Sequence, residues 1–305
     1  MKDEVMAKQR FLHPPAFILH PSTYALPAGR ASAPRTRSLP LAALFSALAA
    51  LYPCAAPRAG ARGQTALRVM TYNIHVGVGM DKRQDLARVA EAIRRERPDL
   101  VGLQEVDRGV ERTGRVDEIR ELARLTGMDY AFAHSLNYQG GQYGVAVLSR
   151  FPILSIDHRR YLNTREAERR GFVRVEVEVG GRRVSFVTTH LDWQHEDGRL
   201  YEARQLLDAL ATVPGPVVVT GDFNEEPTGG AYQLMLKAGF ADAWAQSRAG
   251  AAEHAGGGAT YPADKPAKRI DYVFYRGGAS ARTRGAKVPD TPASDHRPLV
   301  VELSL

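Results

Sequence analysis

Asparagine, glutamate, histidine and aspartate residues stand where several apolar, β-branched runs of this sequence stop. Asn73 closes the run that starts at Leu67, Glu105 closes the next run, and His190 closes a later one. Three further runs are flanked by similar residues, and the whole set is Asn73, Glu105, His190, Asp222, Asn224, Asp271, Asp295 and His296. Carboxylate oxygens are preferred ligands of Mg²⁺ or Mn²⁺, imidazoles transfer protons, and carboxamides donate hydrogen bonds to phosphate oxygens. The set therefore suits metal-assisted chemistry at a phosphate.

A single polar residue after a strand says little, because Asp and Asn at such positions ordinarily form turns or cap helices. Six such positions in one domain are much harder to attribute to turns. Strands that stop at these residues place them on one rim of a sheet, where ligands commonly bind. The pattern therefore predicts one shared polar site.

Alternating strands and helices are predicted to position these residues. The runs that predict strands are Leu67–Ile74, Leu100–Glu105, Gly144–Leu148, Phe172–Val179, Val184–His190, Pro216–Thr220, Ile270–Tyr275 and Leu299–Leu303. Helical spacing occurs in Asp85–Arg95, Val116–Leu125, Arg199–Ala211 and Gly230–Ala238, and a loop is predicted for Arg248–Lys268. Between Gly144 and His190, strands joined by short turns such as Gly180-Gly181 predict antiparallel pairing. A mixed sheet or a pair of sheets with helices outside is the expected architecture.

Six short strings carry a family resemblance. They are Thr71-Tyr72-Asn73-Ile74-His75, Leu103-Gln104-Glu105-Val106, Thr189-His190-Leu191, Gly221-Asp222-Phe223-Asn224, Arg269-Ile270-Asp271-Tyr272 and Ser294-Asp295-His296-Arg297-Pro298. In this order they resemble the endonuclease/exonuclease/phosphatase superfamily, which includes deoxyribonuclease I, apurinic endonucleases, neutral sphingomyelinases, inositol polyphosphate phosphatases and deadenylases. The resemblance runs from about Leu67 to Leu303 and is strongest to small secreted bacterial members. It implies a four-layer α/β sandwich, in which two mixed β-sheets pack face to face with helices outside.

The resemblance implies a metal-dependent phosphoester hydrolase, and most simply a phosphodiesterase in which an activated water attacks phosphorus. Glu105 is then the principal ligand of Mg²⁺ or Mn²⁺, with Asn73 beside it and Asp295 as an additional ligand. Asn224 and His190 hold the non-bridging phosphate oxygens of the substrate as negative charge builds at phosphorus. The phosphoester substrate itself is left open among a nucleic acid, a phospholipid head group and a small phosphodiester.

The resemblance also implies how the attacking water is activated. Asp222 positions or deprotonates that water, and Asp271 orients His296 through the second ring nitrogen. Whether Asp222 or the Asp271–His296 pair is the general base stays open at this stage. The alternative function is a catalytically silent phosphate- or ligand-binding module that retains the fold. Loss of a motif residue would favour that alternative, and none of the six strings is broken.

Aromatic and basic residues near the motifs have two interpretations each. Trp193, three residues after His190, is a candidate substrate platform, and its alternative role is packing over the following helix. The basic residues of the segment 159–170 either grip phosphates or belong to a solvated charged turn, and the acidic residues among them favour the turn. These basic residues are Arg159, Arg160, Arg165, Arg169 and Arg170. His195-Glu196-Asp197 is predicted to start a helix rather than to bind metal.

The charge of the chain is concentrated at its amino-terminal end. The formal net charge of the 305 residues is +7, and residues 1–61 contribute +5 through seven basic and two acidic residues. The remainder therefore carries only +2. This low charge gives no support to nucleic acid as the partner, although it leaves a local basic patch open. We expect a monomer.

Residues before the motifs have the order of a secretory signal. The basic Arg35-Thr36-Arg37 precedes the apolar run Leu39–Leu51, and Ala59-Gly60-Ala61 offers a cleavage site. The apolar run is too short to span a bilayer, for which about 20 residues are needed. A lipoprotein signal would use Cys54, but Pro53 stands where that signal needs a small residue.

Three segments follow from this order. Residues 1–34 are predicted to be an over-long extension, 35–61 a signal peptide that is removed, and 62–305 the catalytic domain. Cys54 is the single cysteine, so the catalytic domain has neither a disulfide nor a thiolate metal site. The protein is expected to be secreted or periplasmic, without stable insertion in a membrane.

Export of the protein is expected to produce a mature chain that begins near Arg62. Intact-mass measurement of the protein recovered from the periplasm or medium checks this, with the unprocessed chain made without an export pathway as the control. Cytoplasmic protein that keeps residues 35–61 would contradict the prediction.

Overall fold

The computed structural model describes residues 66–162, 168–247, 257–278 and 281–305. In these ranges, twelve strands form two mixed sheets of six strands each. The strands are β1 Ala66–Asn73, β2 Leu100–Arg108, β3 Asp129–Tyr138, β4 Gly141–Ser149, β5 Ser155–Arg160, β6 Gly171–Val179, β7 Arg182–His190, β8 Val217–Asp222, β9 Ala241–Asp242, β10 Asp271–Arg276, β11 Arg282–Lys287 and β12 Leu299–Ser304. The first sheet has the order β11-β12-β1-β2-β4-β3, and the second has the order β5-β6-β7-β8-β10-β9. The predicted signal peptide and amino-terminal extension lie outside the described residues.

Helices connect the strands on the outer faces. They are α1 Leu86–Glu96, α2 Glu118–Thr126, α3 Glu196–Leu210, α4 Gly230–Lys237 and α5 Ala243–Gln246, with 3-10 turns at His75–Gly77 and Glu111–Thr113. The Asp85 and Asp117 carboxylates accept hydrogen bonds from backbone N–H groups of the first turns of α1 and α2. These caps satisfy donors that have no partner within the helix. Within the described part of the chain, no helix has the length and apolar character needed to cross a membrane.

Alternate side chains of each strand fill different layers, because successive residues of a strand point to opposite faces. In β1, Val69 joins the apolar core between the two sheets, whereas Met70 packs on the outer face in a cluster with Ile93 of α1. On the second sheet, the outward-facing Val219 packs in a cluster with Leu206 of α3. Helices, sheet, sheet and helices therefore form four layers, which confirms the predicted α/β sandwich.

The same alternation aims the predicted site residues at the space between the sheets. Asn73 lies on the same face of β1 as Val69, and Asp222 lies on the same face of β8 as the inward-facing residues of that strand. β1 and β2 are parallel, as are β7 and β8, so in each sheet two carboxyl ends reach one edge. β10 runs antiparallel to β8 with Asp271 opposite Asp222. The motif residues therefore meet at one end of the inter-sheet core.

Four described strands, β3, β5, β9 and β11, were not predicted from the sequence patterns. The buried residues of β3 include Ala131, Ala133 and Ser135, whose small side chains give a weak apolar signal. β5 is mostly exposed and β9 has two residues, so neither contains the buried run that identifies a strand. Residues 257–268 form the predicted loop, and the rest of that predicted loop lies outside the described ranges.

The two sheets approach each other closely at Gly102. A Cβ atom added at Gly102 of β2 would lie 2.1 Å from Thr220 Oγ1 and 2.7 Å from Thr188 Oγ1. Gln104 Nε2, on the same face of β2, donates hydrogen bonds to Thr188 Oγ1 at 2.7 Å and to Thr71 Oγ1 at 3.2 Å. A buried polar layer therefore separates the apolar core from the site. The absence of a side chain at Gly102 leaves room for the threonines of this layer.

Gly102→Ala is expected to destabilise the fold by about 1–3 kcal/mol, the usual cost of overpacking a close-packed interior. The threonine hydroxyls that the new methyl group would meet are short and buried, so the strands themselves must move. Gly285→Ala in β11, where an added Cβ meets no atom within 4 Å, is the matched control. Urea denaturation of both variants tests the prediction, and equal stability of the two would contradict it.

Candidate active site

The carboxylate of Asp222 lies at the centre of the predicted site. It accepts hydrogen bonds from Asn73 Nδ2 at 3.0 Å and from the backbone N–H of Asn224 at 2.8 Å. Two imidazoles flank it, with Nε2 of His190 at 3.5 Å and Nε2 of His296 at 3.7 Å from Oδ2. The structure therefore brings four predicted residues, from both sheets and the last loop, around the buried carboxylate of Asp222.

Asn73 also joins this centre to Glu105. Asn73 Nδ2 donates to Glu105 Oε1 at 3.0 Å, while its Oδ1 accepts from the backbone N–H of His75 at 3.1 Å. Glu105 has a φ of 57° and lies where the β2–β4 register shifts between Leu103 and Val106. Such a bulge re-aims a side chain, and a non-glycine residue in the left-handed region is a strained feature common at functional sites. The bulge thus turns Glu105 toward the rim.

Two groups of described residues have oxygen or nitrogen ligands placed for a cation. Asp222, Asp271 and His296 offer ligand atoms that all lie within 4.8 Å of one another. Glu105 is the centre of the other group; Asn73 presents its Nδ2 to Glu105 and its Oδ1 to the N–H of His75, and none of the described basic side chains forms an ion pair with Glu105 within 4.0 Å. Glu105 is half-buried, so its carboxylate is reachable by an ion from solvent. Carboxylate and carboxamide oxygens fit a hard divalent cation such as Mg²⁺.

Asp271 and His296 form a buried carboxylate–imidazole pair. His296 Nδ1 lies 2.9 Å from Asp271 Oδ2, and Thr260 Oγ1 donates to the same oxygen at 2.5 Å. This contact leaves Nε2 of His296 aimed at Asp222. The pair joins two of the three residues of the first cation group directly to each other.

Burial and charge shift the titration of the central groups. Burial, reinforced by the charge of Asp271, raises the pKa of Asp222 to about 7. Burial lowers the pKa of His296, but the negative charges of Asp271 and Asp222 outweigh it and raise the pKa to about 10. A carboxylate that titrates near neutrality therefore faces an imidazole that stays protonated at neutral pH.

The carboxylate of Asp295 lies beside the imidazole of His75, where Oδ1 is 3.7 Å from Nδ1. Its neighbour Ser294 donates from Oγ to the backbone carbonyl of Asn73 at 2.7 Å and accepts at 3.2 Å from the N–H of His296. Ser294 thereby ties the loop before β12 to the end of β1. The sequence strings included Ser294 without predicting this role.

His190 and Asn224 lie side by side, as the resemblance implied. Asn224 Nδ2 is 2.9 Å from His190 Nε2 and donates to the carbonyl of Leu191 at 3.0 Å. On its other side, His190 Nδ1 is 2.8 Å from NH1 of Arg170. Three residues therefore form a row that ends at Asp222.

The prediction of a solvated charged turn is wrong for Arg170, which is 3% exposed. Arg159, Arg160 and Arg169 are exposed, as predicted, whereas Arg165 lies outside the described residues. The tight turn after β6 sets a register in which Gly171 pairs with His190, so the residue before Gly171 lies beside that imidazole. Counting back from Gly180-Gly181 in the sequence would have identified this neighbour.

Trp193 lies in the loop between β7 and α3, and its side chain is 42% exposed. Packing over α3 therefore does not account for the whole residue, and its use as a substrate platform stays a prediction. His195 is the N-cap of α3, with Glu196 and Asp197 in the first turn, which agrees with the predicted helix start.

Comparison with known proteins identifies the family. A family model described as "Endonuclease/Exonuclease/phosphatase family" matches residues 70–296. The chain belongs to the endonuclease/exonuclease/phosphatase family. This family includes phosphodiesterases, nucleases and phosphatases, whose members hydrolyse phosphoester bonds and are generally dependent on divalent metals.

Two proteins and one solved structure illustrate how far the similarity extends. "Uncharacterized protein YbhP" of Escherichia coli (strain K12) is 29% identical over 255 residues, covering 79% of this chain and 98% of that protein. A "Putative neutral sphingomyelinase" of Caenorhabditis elegans is 27% identical over 244 residues, covering 65% of this chain and 54% of that protein. The crystal structure of a family member from Beutenbergia cavernae DSM 12333 has a TM-score of 0.65 and 26% identity, covering 79% and 72% of the two chains.

Asp271→Asn is expected to destabilise the metal-free protein most below pH 6.5 and progressively less toward pH 10. The pKa of His296 rises from 6.5 in the unfolded chain to about 10 in the fold, so this group stabilises the fold at low pH and ceases to do so above pH 10. The variant removes the charge that causes this shift, and it also relieves Asp222 of a repulsive neighbour at high pH.

Urea denaturation of both proteins in EDTA, repeated across this pH range, measures the difference in free energy of unfolding. The exposed Asp264→Asn is the control, for which we expect a small difference that does not vary with pH. A difference for Asp271→Asn that stays constant from pH 6.5 to pH 10 would show that the pair is not an ion pair.

Proposed function

We propose that this protein hydrolyses phosphoesters with the help of a divalent cation, and that phosphodiesters are its main substrates. The observation that carries this proposal is the arrangement around Asp222. One buried carboxylate faces two imidazoles and shares a carboxamide with Glu105. Hydrolysis at phosphorus needs an activated water, neutralisation of negative charge and a protonated leaving group. Separate groups in this arrangement suit each requirement.

Glu105 and Asn73 would hold the cation, with Asp295 as a further proposed ligand. Bound Mg²⁺ or Mn²⁺ supplies charge neutralisation at a phosphoryl oxygen. The Asn73 amide then has two tasks, because it also holds the carboxylate of Asp222 at 3.0 Å. It thereby fixes the distance between the metal-binding group and the group that handles water.

Asp222 is proposed to take the proton from the attacking water. A general base is most effective when its pKa lies near the working pH, and the pKa of Asp222 is raised to about 7. His296 is protonated at neutral pH, so it is proposed to stabilise charge and to donate a proton rather than to accept one. We therefore propose Asp222, rather than the Asp271–His296 pair, as the general base.

His190 and Asn224 are proposed to hold the non-bridging oxygens of the phosphate. Their side chains lie next to each other at the rim of the site. Hydrogen-bond donors that point to the place where charge develops contribute strongly to catalysis, because they are already oriented. Trp193, exposed two residues beyond Leu191, is proposed to contact the part of the substrate that leaves.

A panel of substrates tests the proposed reaction. Plasmid DNA, single-stranded RNA, sphingomyelin, bis-p-nitrophenyl phosphate and inositol phosphates are each assayed with Mg²⁺, Mn²⁺ and Ca²⁺. We expect metal-dependent hydrolysis of at least one diester, abolished by EDTA and by Asp222→Asn. Turnover of none, together with binding of phosphate, would favour the silent binding module instead.

Variants separate metal binding from proton transfer. Glu105→Gln is expected to weaken metal affinity, so raising the Mg²⁺ or Mn²⁺ concentration restores part of the rate. Asp222→Asn and Asp271→Asn are expected to lower the maximal rate by about 10²–10⁴-fold, as loss of general acid–base groups does, with no rescue by metal. Asp222→Asn is the more damaging of the two, because it removes the group at the water.

Initial rates across a series of metal concentrations give the affinity and the maximal rate for each variant. Glu91→Gln, on the exposed face of α1, is the matched control for Glu105→Gln and is expected to behave as the parent protein. Full activity of Glu105→Gln at low Mg²⁺ would exclude Glu105 as the metal ligand.

A further inference from the structure

The inner face of β5 is not covered by the first sheet. β5 is an edge strand of the second sheet, and β3 is an edge strand of the first. His158 pairs with Val173 and Ile156 with Val175, and both valines belong to the apolar core between the sheets. Side chains directly opposite each other lie on one face, yet Ile156 is 54% exposed. The face of β5 that carries Ile156, His158 and Arg160 is therefore an open shelf, which we name the β5 ledge.

Paired and unpaired charges are sorted between the two faces of β5. On the outer face, Arg159 forms an ion pair with Asp157 at 3.3 Å. On the β5 ledge, neither His158 nor Arg160 has an ion-pair partner within 4.0 Å among the residues that the structure describes, and both side chains are exposed. The β5 ledge therefore presents a positive charge without a neighbouring carboxylate.

A third basic residue lies beside the β5 ledge on the first sheet. Burial lowers the pKa of His134 in β3, and the positive charges of Arg160 and His158 lower it further. Charges influence one another in this way only across short distances. Basic groups gathered without a counter-charge repel one another, and a bound anion removes that repulsion. One guanidinium and two imidazoles thus have the composition of an anion-binding site.

The strand registers place this cluster level with the active site. Arg160 of β5 is in register, through one residue of β6, with His190 of β7. In the first sheet, His134 is in register, through one residue of β4, with Val106, which follows Glu105. Two strand spacings separate β5 from β7, so the β5 ledge lies about 10 Å to the side of the centre. A substrate that extends from the centre toward this edge would meet the ledge.

Basic residues on an edge strand also prevent its pairing with other chains. That role needs charge but no particular face of the strand, and Arg159 on the outer face fulfils it equally. It explains neither the unpaired charges on the inner face nor the third basic residue from the other sheet.

We propose that Arg160, His158 and His134 form a binding site for a second phosphate group, next to the phosphate that is hydrolysed. Arg160 supplies the charge, and each imidazole supplies an N–H donor. The ligand then carries phosphates on nearby units, as a single-stranded oligonucleotide or an inositol polyphosphate does. That this second phosphate belongs to the substrate rests on the proposed function, whereas the affinity of the cluster for phosphate does not.

Calorimetric titration of the full chain in EDTA tests the binding without turnover. The ligands are a thymidine oligonucleotide and, separately, inositol hexakisphosphate. Loss of one phosphate contact removes about 0.7 from the slope of log affinity against log salt for a single strand, so we expect Arg160→Gln to weaken binding about 5–10-fold at about 50 mM salt. Arg159→Gln, the same change on the outer face of the same strand, is the matched control and should bind as the parent protein does.

The ligand whose affinity depends on Arg160 and not on Arg159 identifies the source of the phosphate. Equal losses in the two variants would show that only general surface charge acts, and would overturn the proposal. Unchanged affinity of Arg160→Gln for both ligands would also overturn it, as would a parent protein that binds neither.

Turnover separates the β5 ledge from the catalytic centre. Arg160→Gln is expected to raise KM for the multiply phosphorylated substrate with little change in kcat, because the lost contact is made in the ground state and the transition state alike. The effect on bis-p-nitrophenyl phosphate, which has one phosphate, should be much smaller. An equal loss with both substrates would overturn the proposal. Binding that depends on Arg160 in a protein that hydrolyses no substrate would reject the proposed function and leave the anion site established.

Discussion

The hydrogen bonds of one carboxamide connect the two sheets at the site. Asn73 belongs to the first sheet, and its Nδ2 reaches Asp222 on the second sheet and Glu105 on its own sheet, each at 3.0 Å. These bonds are possible only because the sheets pack closely enough at Gly102 for strands of both to share a polar layer. The fold itself thereby holds Glu105 and Asp222, the groups proposed to bind the metal and to handle the water, at one spacing.

Low solvent access gives this arrangement its chemical character. Asp222, Asp271 and His296 are all nearly inaccessible, so their charges act on one another more strongly than they would at the surface, where water screens them. Burial and a neighbouring carboxylate bring the pKa of Asp222 near neutrality, while the same carboxylates keep His296 protonated. The positions of Asp222 and His296 in the fold therefore raise the pKa values of both groups above the values usual for their residue types.

The proposed substrate contact at Trp193 is separated in the fold from this centre. The sheets supply the groups proposed to act on phosphate, whereas Trp193 is exposed in the loop before α3. A family that includes nucleases and phosphatases on one scaffold is consistent with this division, since function resides in sites placed on folds. Arg170 supports this centre from within the fold, because its NH1 lies 2.8 Å from Nδ1 of His190 and 3.3 Å from Oε1 of Glu168.

The sequence by itself determined eight of the twelve described strands and most residues of the candidate site. Strands with apolar alternation ended at Asn73, His190 and Asp222, and these ends could be recognised because side-chain period and polarity are local properties. The same local information missed β3, whose buried residues are small, and placed Arg170 in solvent. Only the tertiary structure decided that Arg170 lies beside His190 and that Asp271 and His296 share charge with Asp222. Their partners come from distant strands, and burial is a property of the packed sheets that no local pattern contains.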